Sequence, residues 1–494
     1  MVESAQTLRR GEILSVTSPI EIPEEKLNWC TVSLGEVLQR GKRLEASVFD
    51  IEGKHAREVL KQCKWPVKML TGRGGFADAY HRPRFKRVWV EKSDLPIFQP
   101  SQVGEIKPQP SGYLSSQTET DIDALRVRSG QILLTCSGTL GNCCYVSKTL
   151  SDKIFSHDLI RITCKEKTDT GFVYAFLRTN IGTCLIQTNE YGSVVSHIEP
   201  EHLDSVPIPN PPEFLKRRIH DLIVRSYALR DESNDLLDKA EVLLREALKL
   251  PPLETLEPIY FEKDAELRNY TVNLSDIAGR LDGSYHVPLI DAILHQLGEE
   301  AKEVTIIGDP HISKHVLLPG RFARIYVDEG QGTAFFGGKQ LFELDPSNKK
   351  YLSLSRHGDR IKRELLLKNN TILITRSGTI GKVVLVPEHW EHWVVNEHVI
   401  RVVPASSDLA GYLYVFLNTD YGHELITRFT YGAVVDEIDD NHVSQVPIPL
   451  LKDANIQAEI NRLALEANAK RTEAYLAEQE AIRITNEEVI HAVV

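Results

Sequence analysis

Cysteine is scarce in this chain. There are seven in 494 residues (Cys30, Cys63, Cys136, Cys143, Cys144, Cys164 and Cys184), and none lies beyond position 184. None forms a Cys-x-x-Cys pair. A disulfide framework would have to serve the later part of the chain as well, and a zinc site needs closely spaced ligands. The sequence therefore reads as one with reduced thiols, a cytoplasmic setting and no metal. Long apolar runs are missing too. No stretch approaches the roughly 18 residues needed to cross a bilayer. The opening segment, residues 1–30, has no signal-peptide core. Positive charge is in deficit, with a net charge of −11. That excludes indiscriminate coating of nucleic acid but not local binding, because the field that matters is the local one.

Catalytic signatures are also lacking. Asn210-Pro211-Pro212-Glu213-Phe214 imitates the base-flipping loop of amino-methylating DNA methyltransferases, but Glu213 interrupts it and no glycine-rich cofactor loop precedes it. It reads as a linker. Glu52-Gly53-Lys54 imitates a nuclease tail without a convincing upstream acid. Ser137-Gly138-Thr139-Leu140-Gly141 is not a phosphate loop of the Walker type, since no Gly-Lys-Ser/Thr follows. His157, His202, His398 and His442 are scattered. With no nucleophile–base set and no paired carboxylates, the chain reads as a binder and not an enzyme.

What the chain does have is a repeat. Residues 132–209 align with residues 372–449 without a gap at an offset of 240, with 28 identities in 78 positions. Ile132-Leu133-Leu134-Thr135-Cys136-Ser137-Gly138-Thr139 returns as Ile372-Leu373-Ile374-Thr375-Arg376-Ser377-Gly378-Thr379. Tyr191-Gly192 returns as Tyr431-Gly432, and Val206-Pro207-Ile208-Pro209 as Val446-Pro447-Ile448-Pro449. Earlier anchors are sparser. Leu34–Val37 matches residues 274–277, Arg43-Leu44-Glu45-Ala46-Ser47 matches residues 280–284, and Phe85-Lys86-Arg87-Val88-Trp89-Val90 matches Phe322-Ala323-Arg324-Ile325-Tyr326-Val327. A period this long marks two copies of a whole domain. Each copy has a divergent first half and a similar second half, which suggests one scaffold carrying two differently tuned faces.

Within the first copy, residues 131–136, 142–146 and 159–164 read as strands and residues 171–187 as a helix. Val-Pro-Ile-Pro reads as a rigid extended exit, since proline continues neither a helix nor a central strand. Each exit leads into a heptad helix. In residues 213–250, Leu222, Leu229, Leu236, Leu243 and Leu250 recur every seven residues, accompanied by Ile219, Ser226, Ser233, Ala240 and Ala247. Such a helix spans roughly 57 Å. After the second copy, Ile460, Ala467, Ala474 and Ala481 mark one row; Leu463, Ala477 and Ile484 mark the other, interrupted by Lys470. Long amphipathic helices are poorly stable alone, and these two can bury each other's seams. The expected organisation is an N-terminal segment (1–30), a first domain (31–212), a first helix (213–250), a linker (251–270), a second domain (271–450), and a second helix with its tail (451–494).

Two half-similar domains, each with Ile-Leu-x-Thr-x-Ser-Gly-Thr-x-Gly, then Tyr-Gly, then Val-Pro-Ile-Pro, then a heptad helix, resemble the specificity subunit of type I restriction–modification systems over nearly the whole chain. The resemblance implies an α+β fold. Two mixed α/β target-recognition domains would be separated by an antiparallel coiled coil, each reading one half of a split, asymmetric DNA site. It implies no catalysis and no cofactor in this chain. S-adenosylmethionine would belong to two partner methyltransferase subunits, with nuclease–translocase subunits joining through them. No membrane partner is implied.

Candidate DNA contacts are the basic residues Arg73, Arg82, Arg84, Lys86 and Arg87 in the first copy, and Arg321, Arg324, Arg356, Arg360 and Arg376 in the second. To these are added the glycine-containing turns Ser137, Gly138, Thr139, Tyr191 and Gly192, and Ser377, Gly378, Thr379, Tyr431 and Gly432, whose backbone can approach a phosphate closely. Candidate helix-pairing residues are Leu222, Leu229, Leu236, Leu243, Ile460, Leu463, Ala467 and Ala474. Two other readings are a protein-binding adaptor dimerised by its helices, and the recognition part of another DNA-modification defence system.

Overall fold

Two long helices run antiparallel through the computed structural model, which describes residues 31–39, 49–188, 196–256, 270–277, 279–432 and 434–492. The first rod is Glu213–Ala247, of 35 residues, and the second is Ala454–Ile484, of 31 residues. Their lengths are about 52 and 46 Å at 1.5 Å per residue. The first is shorter than its heptads suggest because it closes after Ala247. The Leu250 amide turns back to the Arg245 carbonyl, and Lys249 takes a positive φ of 45°, ahead of Pro251. Asp453 caps the second rod, its side chain accepting from the Asn455 and Ile456 amides.

The direction of pairing is written in the cross-rod ion pairs. Arg218 meets Glu488 at 3.1 Å, Arg225 meets Glu473 at 3.9 Å, and Lys470 meets Glu232 at 2.7 Å. Lys470 thus spans the rods at the place where it interrupts the apolar row. Between them the small rows form the seam. Ile219, Ser226, Ser233 and Ala240 are fully buried, as are Ile460, Ala467, Ala474 and Ala481. Ser226 Oγ donates to the Ala474 carbonyl at 2.7 Å, an approach that only small side chains permit.

The leucine row is therefore displaced from the centre. Leu222, Leu236 and Leu243 are half-buried flank residues, packed against the cores of the two copies, and Leu229 is buried with Leu344 and Ala474. The other flank is Ile223, Arg230, Leu237 and Leu244. Where the axes approach closely, around Ser226 and Ala474, large side chains fit only beside the seam, while Ile219 and Ile460 occupy it nearer the starts of the rods.

Each core takes one end of both rods. The first includes Leu215, Ile219, Ile223 and Tyr227 from the start of the first rod, with Ala481 and Ile484 from the end of the second. The other includes Leu237, Ala240 and Leu244 with Ile460, Leu463, Ala464 and Ala467. The attachment repeats as well. His220 Nδ1 accepts from the Gly171 amide at 3.1 Å, and Asn461 Oδ1 accepts from the Gly411 amide at 2.8 Å.

The two copies also match strand for strand, including their divergent halves. The sheet ordered Ala77–Tyr80, Leu159–Cys164, Ile132–Thr135, Cys143–Tyr145 is repeated by Ser313–Leu317, Val399–Pro404, Ile372–Thr375, Val383–Leu385. A second sheet, Trp89–Val90, Gly112–Leu114, Pro96–Phe98, Ile154–Phe155, is repeated by Tyr326–Val327, Lys350–Ser353, Gly332–Phe336, Val394–Val395. The Pro207–Pro209 exit pairs with Val67–Met69, as Pro447–Leu450 does with Glu303–Ile306. The stretch 171–187 is two helices, Lys167–Arg178 and Asn180–Gln187. Thr179 breaks it with ψ 156° and caps the second piece through the Gly182 amide at 3.0 Å. Thr419 repeats the break between Ser407–Leu417 and Asp420–Thr427.

The copies touch directly through equivalent loops. Glu105 and Glu343 form an antiparallel bridge, and the Ile106 amide donates to the Phe342 carbonyl at 2.9 Å. Residues at the same place in each copy meeting one another define a local two-fold axis.

Two outcomes follow. Ala474→Leu should lower stability by about 1–3 kcal/mol in urea denaturation, because an added side chain forces the seam apart. Leu476→Ala, on an exposed position of the same rod, should stay within about 0.5 kcal/mol. The second concerns pH. His389 packs on Tyr475 at 4.2 Å, and burial lowers its pKa to about 4 from 6.5. In the unfolded chain the ring takes a proton first, so stability present above about pH 6.5 is lost as the pH falls toward 4. The urea midpoint of His389→Asn should fall less between pH 7 and 5 than that of the natural chain.

Candidate nucleic-acid interface

In each copy an edge strand exposes an aromatic ring in the same register. Trp89 pairs with Leu114, and Tyr326 pairs with Leu352. Trp89 is 50% exposed and Tyr326 is 39% exposed. Trp89 lies flat on the sheet because its neighbour is Gly112, where a Cβ would come within 2.8 Å of the indole. Val88, Val90 and Ile325 beside them are exposed as well. Neither ring stands out in the sequence as a contact residue. The available signal was the shared motif in which both sit.

The basic runs enter these strands. In the first copy, Arg84 and Lys86 are exposed, Arg82 stacks over Tyr80 at 4.9 Å, and Arg87 lies 3.7 Å from Asp158. His157 beside them has its pKa lowered by burial and by the charges of Arg87 and Arg84, against the pull of Asp158. In the second copy Arg321 is exposed and 3.9 Å from Glu437, while Arg324 binds buried Glu397 and lies over the Phe335 ring at 5.3 Å. Arg356 is exposed on helix Leu354–Arg360, and Arg360 donates to the Gly320 carbonyl and covers Phe322 at 4.6 Å. Arg73 stands apart, in an exposed turn beside Asp204.

The Ser-Gly-Thr turns are partly consumed by the fold. Thr135 Oγ1 donates to the Thr139 carbonyl at 2.6 Å and accepts from the Asn142 amide at 3.1 Å; Thr375 makes the same two contacts with Thr379 and Lys382. Gly138 and Gly378 take φ of 72° and 76°, which strains any other residue. Gly138, Thr139, Gly378 and Thr379 remain exposed, and both turns line one cleft of about 670 Å³ between the copies, with Lys339 and Lys382. Ser377 Oγ lies 3.0 Å from His398 Nδ1.

Arg376, which stands where the first copy has Cys136, is not a free cation, since Glu437 holds its guanidinium. Glu437 also closes a hairpin with Tyr431, whose exposed tip carries Gly432, Val434 and Val435. The equivalent Tyr191 and Gly192 lie outside the described residues, as do residues 43–47.

Two shared arginines belong to the scaffold. Arg161 is fully buried, its guanidinium donating to the Leu125, Phe155 and Leu159 carbonyls; Arg401 does the same to Val395 and Val399. Burial lowers both to a pKa of about 10.

Among the described residues no His, Cys, Asp and Glu group could hold a metal, and no helix is long and apolar enough to cross a membrane. The six described cysteines are free, and burial pushes the thiols of Cys136 and Cys143 up to about 11 and 12, away from reactivity.

No family model matches the chain, and no curated protein matches it. Solved structures similar to it include the crystal structure of a type I restriction–modification system S subunit from M. genitalium, 12% identical over 87% of this chain and 96% of that one, with a TM-score of 0.31. Another, concerned with complex assembly and conformational transition of the type I R-M system, is 16% identical over 82% and 97%, with a TM-score of 0.26. The HsdS subunit from Thermoanaerobacter tengcongensis is 14% identical over 86% and 100%, with a TM-score of 0.25.

Scaffold and surface arginines should separate by stability. Arg401→Met, which orphans buried carbonyls, should cost about 3 kcal/mol in urea denaturation. Arg84→Ala, on the exposed run, should stay within about 0.5 kcal/mol.

Proposed function

We propose that this chain is the DNA-sequence-specificity subunit of a type I restriction–modification system, binding a bipartite, asymmetric duplex site without catalysing any step itself. The observation that carries the reading is the two-fold. One fold occurs twice, at opposite ends of an antiparallel helix pair, and the equivalent loops meet across the axis at Glu105 and Glu343. A duplex has two-fold axes of its own, so two inverted modules suit two inverted tracts of one helix. Rods of about 50 Å span roughly one and a half turns, each turn being roughly 34–36 Å.

Each module presents an exposed aromatic edge strand fed by arginines. Arg82, Arg84, Lys86 and Arg87 with Trp89 contact one half-site; Arg321, Arg324, Arg356 and Arg360 with Tyr326 contact the other. Arginine on guanine O6 and N7 supplies roughly 1–3 kcal/mol of discrimination. The exposed Thr139, Gly378 and Thr379 contact phosphates nearer the axis, along with Arg376 once it leaves Glu437. The Tyr431–Gly432 tip contacts the backbone further out, and the sequence repeat extends that role to Tyr191 and Gly192; Arg73 is a phosphate contact at most. The domain limits follow the repeat, 31–212 and 271–450, with the rods Glu213–Ala247 and Ala454–Ile484 after them. The acidic outer faces of the rods, including Asp235, Glu473 and Glu480, suit protein partners better than DNA. Two methyltransferase subunits carrying S-adenosylmethionine dock there, nuclease–translocase subunits joining through them.

The test is binding of the chain, with its methyltransferase partners, to its modified site, located by mapping methylated adenines in the source genome. Affinity should fall steeply with salt. Arg84→Ala with Trp89→Ala should cost tenfold or more on the complete site and nothing on a duplex already mutated in the first half-site. Equal losses on both duplexes, or binding indifferent to sequence, would contradict the assignment.

A further inference from the structure

The two-fold creates a pair of equivalent spaces beside the rods, and they are not alike. On the first-copy side the space is filled by a polar network. Arg230 of the first rod pairs with Glu478 of the second, and Arg178 lies 3.4 Å from the same carboxylate and 3.2 Å from Asp345. The Tyr174 hydroxyl donates to Glu478 Oε1 at 2.6 Å. A cavity of only about 40 Å³ remains.

On the second-copy side the corresponding cavity measures about 600 Å³. The rods repeat with an offset of 241, so Arg471 stands where Arg230 stands. Glu478 is replaced there by Leu237, Arg178 by Asn418 and Asp345 by Lys107, all of which line the cavity. Arg471 is 7% exposed, and it lacks the carboxylate that Glu478 provides to Arg230. Among the described residues no carboxylate pairs with it. The carboxylates nearby are engaged elsewhere: Asp238 with Lys107, and Glu241 and Asp420 with Arg245. Glu105 also lines the space, but burial pushes its carboxyl up to about 7, so it is only partly ionised near neutrality. Lys382 adds a second cation over the Phe342 ring at 4.9 Å. Leu237, Val383, Trp390 and Tyr414 give part of the wall an apolar face.

A guanidinium in a largely buried residue is less favourable without an anionic partner than with one, and an occupant that pairs with it offsets that cost. The filled space supplies the template: a carboxylate set on the arginine of the rod. We propose that this cavity binds a small organic carboxylate, its anionic group on Arg471 and its apolar body against Phe342 and Trp390. The volume lies within the range of small-molecule sites. Both copies and both rods wall the cavity, so an occupant ties together the parts that set the separation of the modules.

The experiment titrates the full chain with benzoate, and with benzamide as its neutral isostere, by saturation-transfer NMR and calorimetry. Benzoate should bind saturably and at least tenfold more tightly than benzamide. Arg471→Gln should remove the preference. Leu237→Glu, which supplies the missing carboxylate from within, should abolish benzoate binding while the thermal midpoint holds or rises. Absence of saturable benzoate binding, equal binding of the two probes by the natural chain, or benzoate binding that survives both substitutions overturns the proposal. The comparison of the two probes stands even where a variant fails to fold.

Discussion

Contact between two rows of small side chains is the constraint on which the molecule depends. Ser226, Ser233 and Ala240 on one rod, with Ala467, Ala474 and Ala481 on the other, let two helix backbones approach until a serine hydroxyl reaches the opposite carbonyl. That approach leaves no room at the centre for leucine. The large residues move to the flanks, and there they become part of the cores of the two copies. Each copy is thereby fixed to one end of both helices, and the antiparallel direction turns one copy over relative to the other. The buried Arg230–Glu478 pair adds little net stability by itself, since desolvation offsets much of its attraction. Its effect is on register: a slip of the rods would leave one or both charges buried and unpaired.

The repeated architecture separates what the fold requires from what varies. Arg161 and Arg401, Thr135 and Thr375, and Thr179 and Thr419 occupy equivalent places and make equivalent bonds. The surface around the basic strands does not repeat. Cys136 faces Arg376 in the alignment, His197 faces Glu437, His157 faces Glu397, and Asp158 faces His398. Four exchanges of charge or hydrogen-bonding character, with Cys136 and Glu397 buried beneath the surface, give one framework two unlike settings for its basic strands.

Much of this organisation was legible in the chain. The repeat, the strands around the Ser-Gly-Thr turn and the pairing of two heptad helices could all be read from periodicity and spacing. The leucine row misled, because a regular heptad shows which residues are apolar but not how near two axes come; the small companion row carried that information. The break at Thr179 escaped notice because apolar residues continue on both sides of it. The likeness of the divergent halves was invisible as well, since short sheet strands accept many sequences and only Phe85-Lys86-Arg87-Val88-Trp89-Val90 and its counterpart held the register. As for the candidate interface, the basic runs were readable but their partners were not. That Glu437 holds Arg376 and Glu397 holds Arg324 depends on contacts 61 and 73 residues apart. Trp89 and Tyr326 look like core residues until the strand edge is seen.

If paired rods set the separation of two inverted modules, that separation should be imprinted on DNA. Hydroxyl-radical footprinting of the chain with its methyltransferase partners on the complete site measures this most directly. The account predicts two protected tracts flanking an unprotected centre of fixed length, with protection lost when one base pair is inserted into that centre. One continuous protected tract, or two that persist when the centre is lengthened, would contradict it.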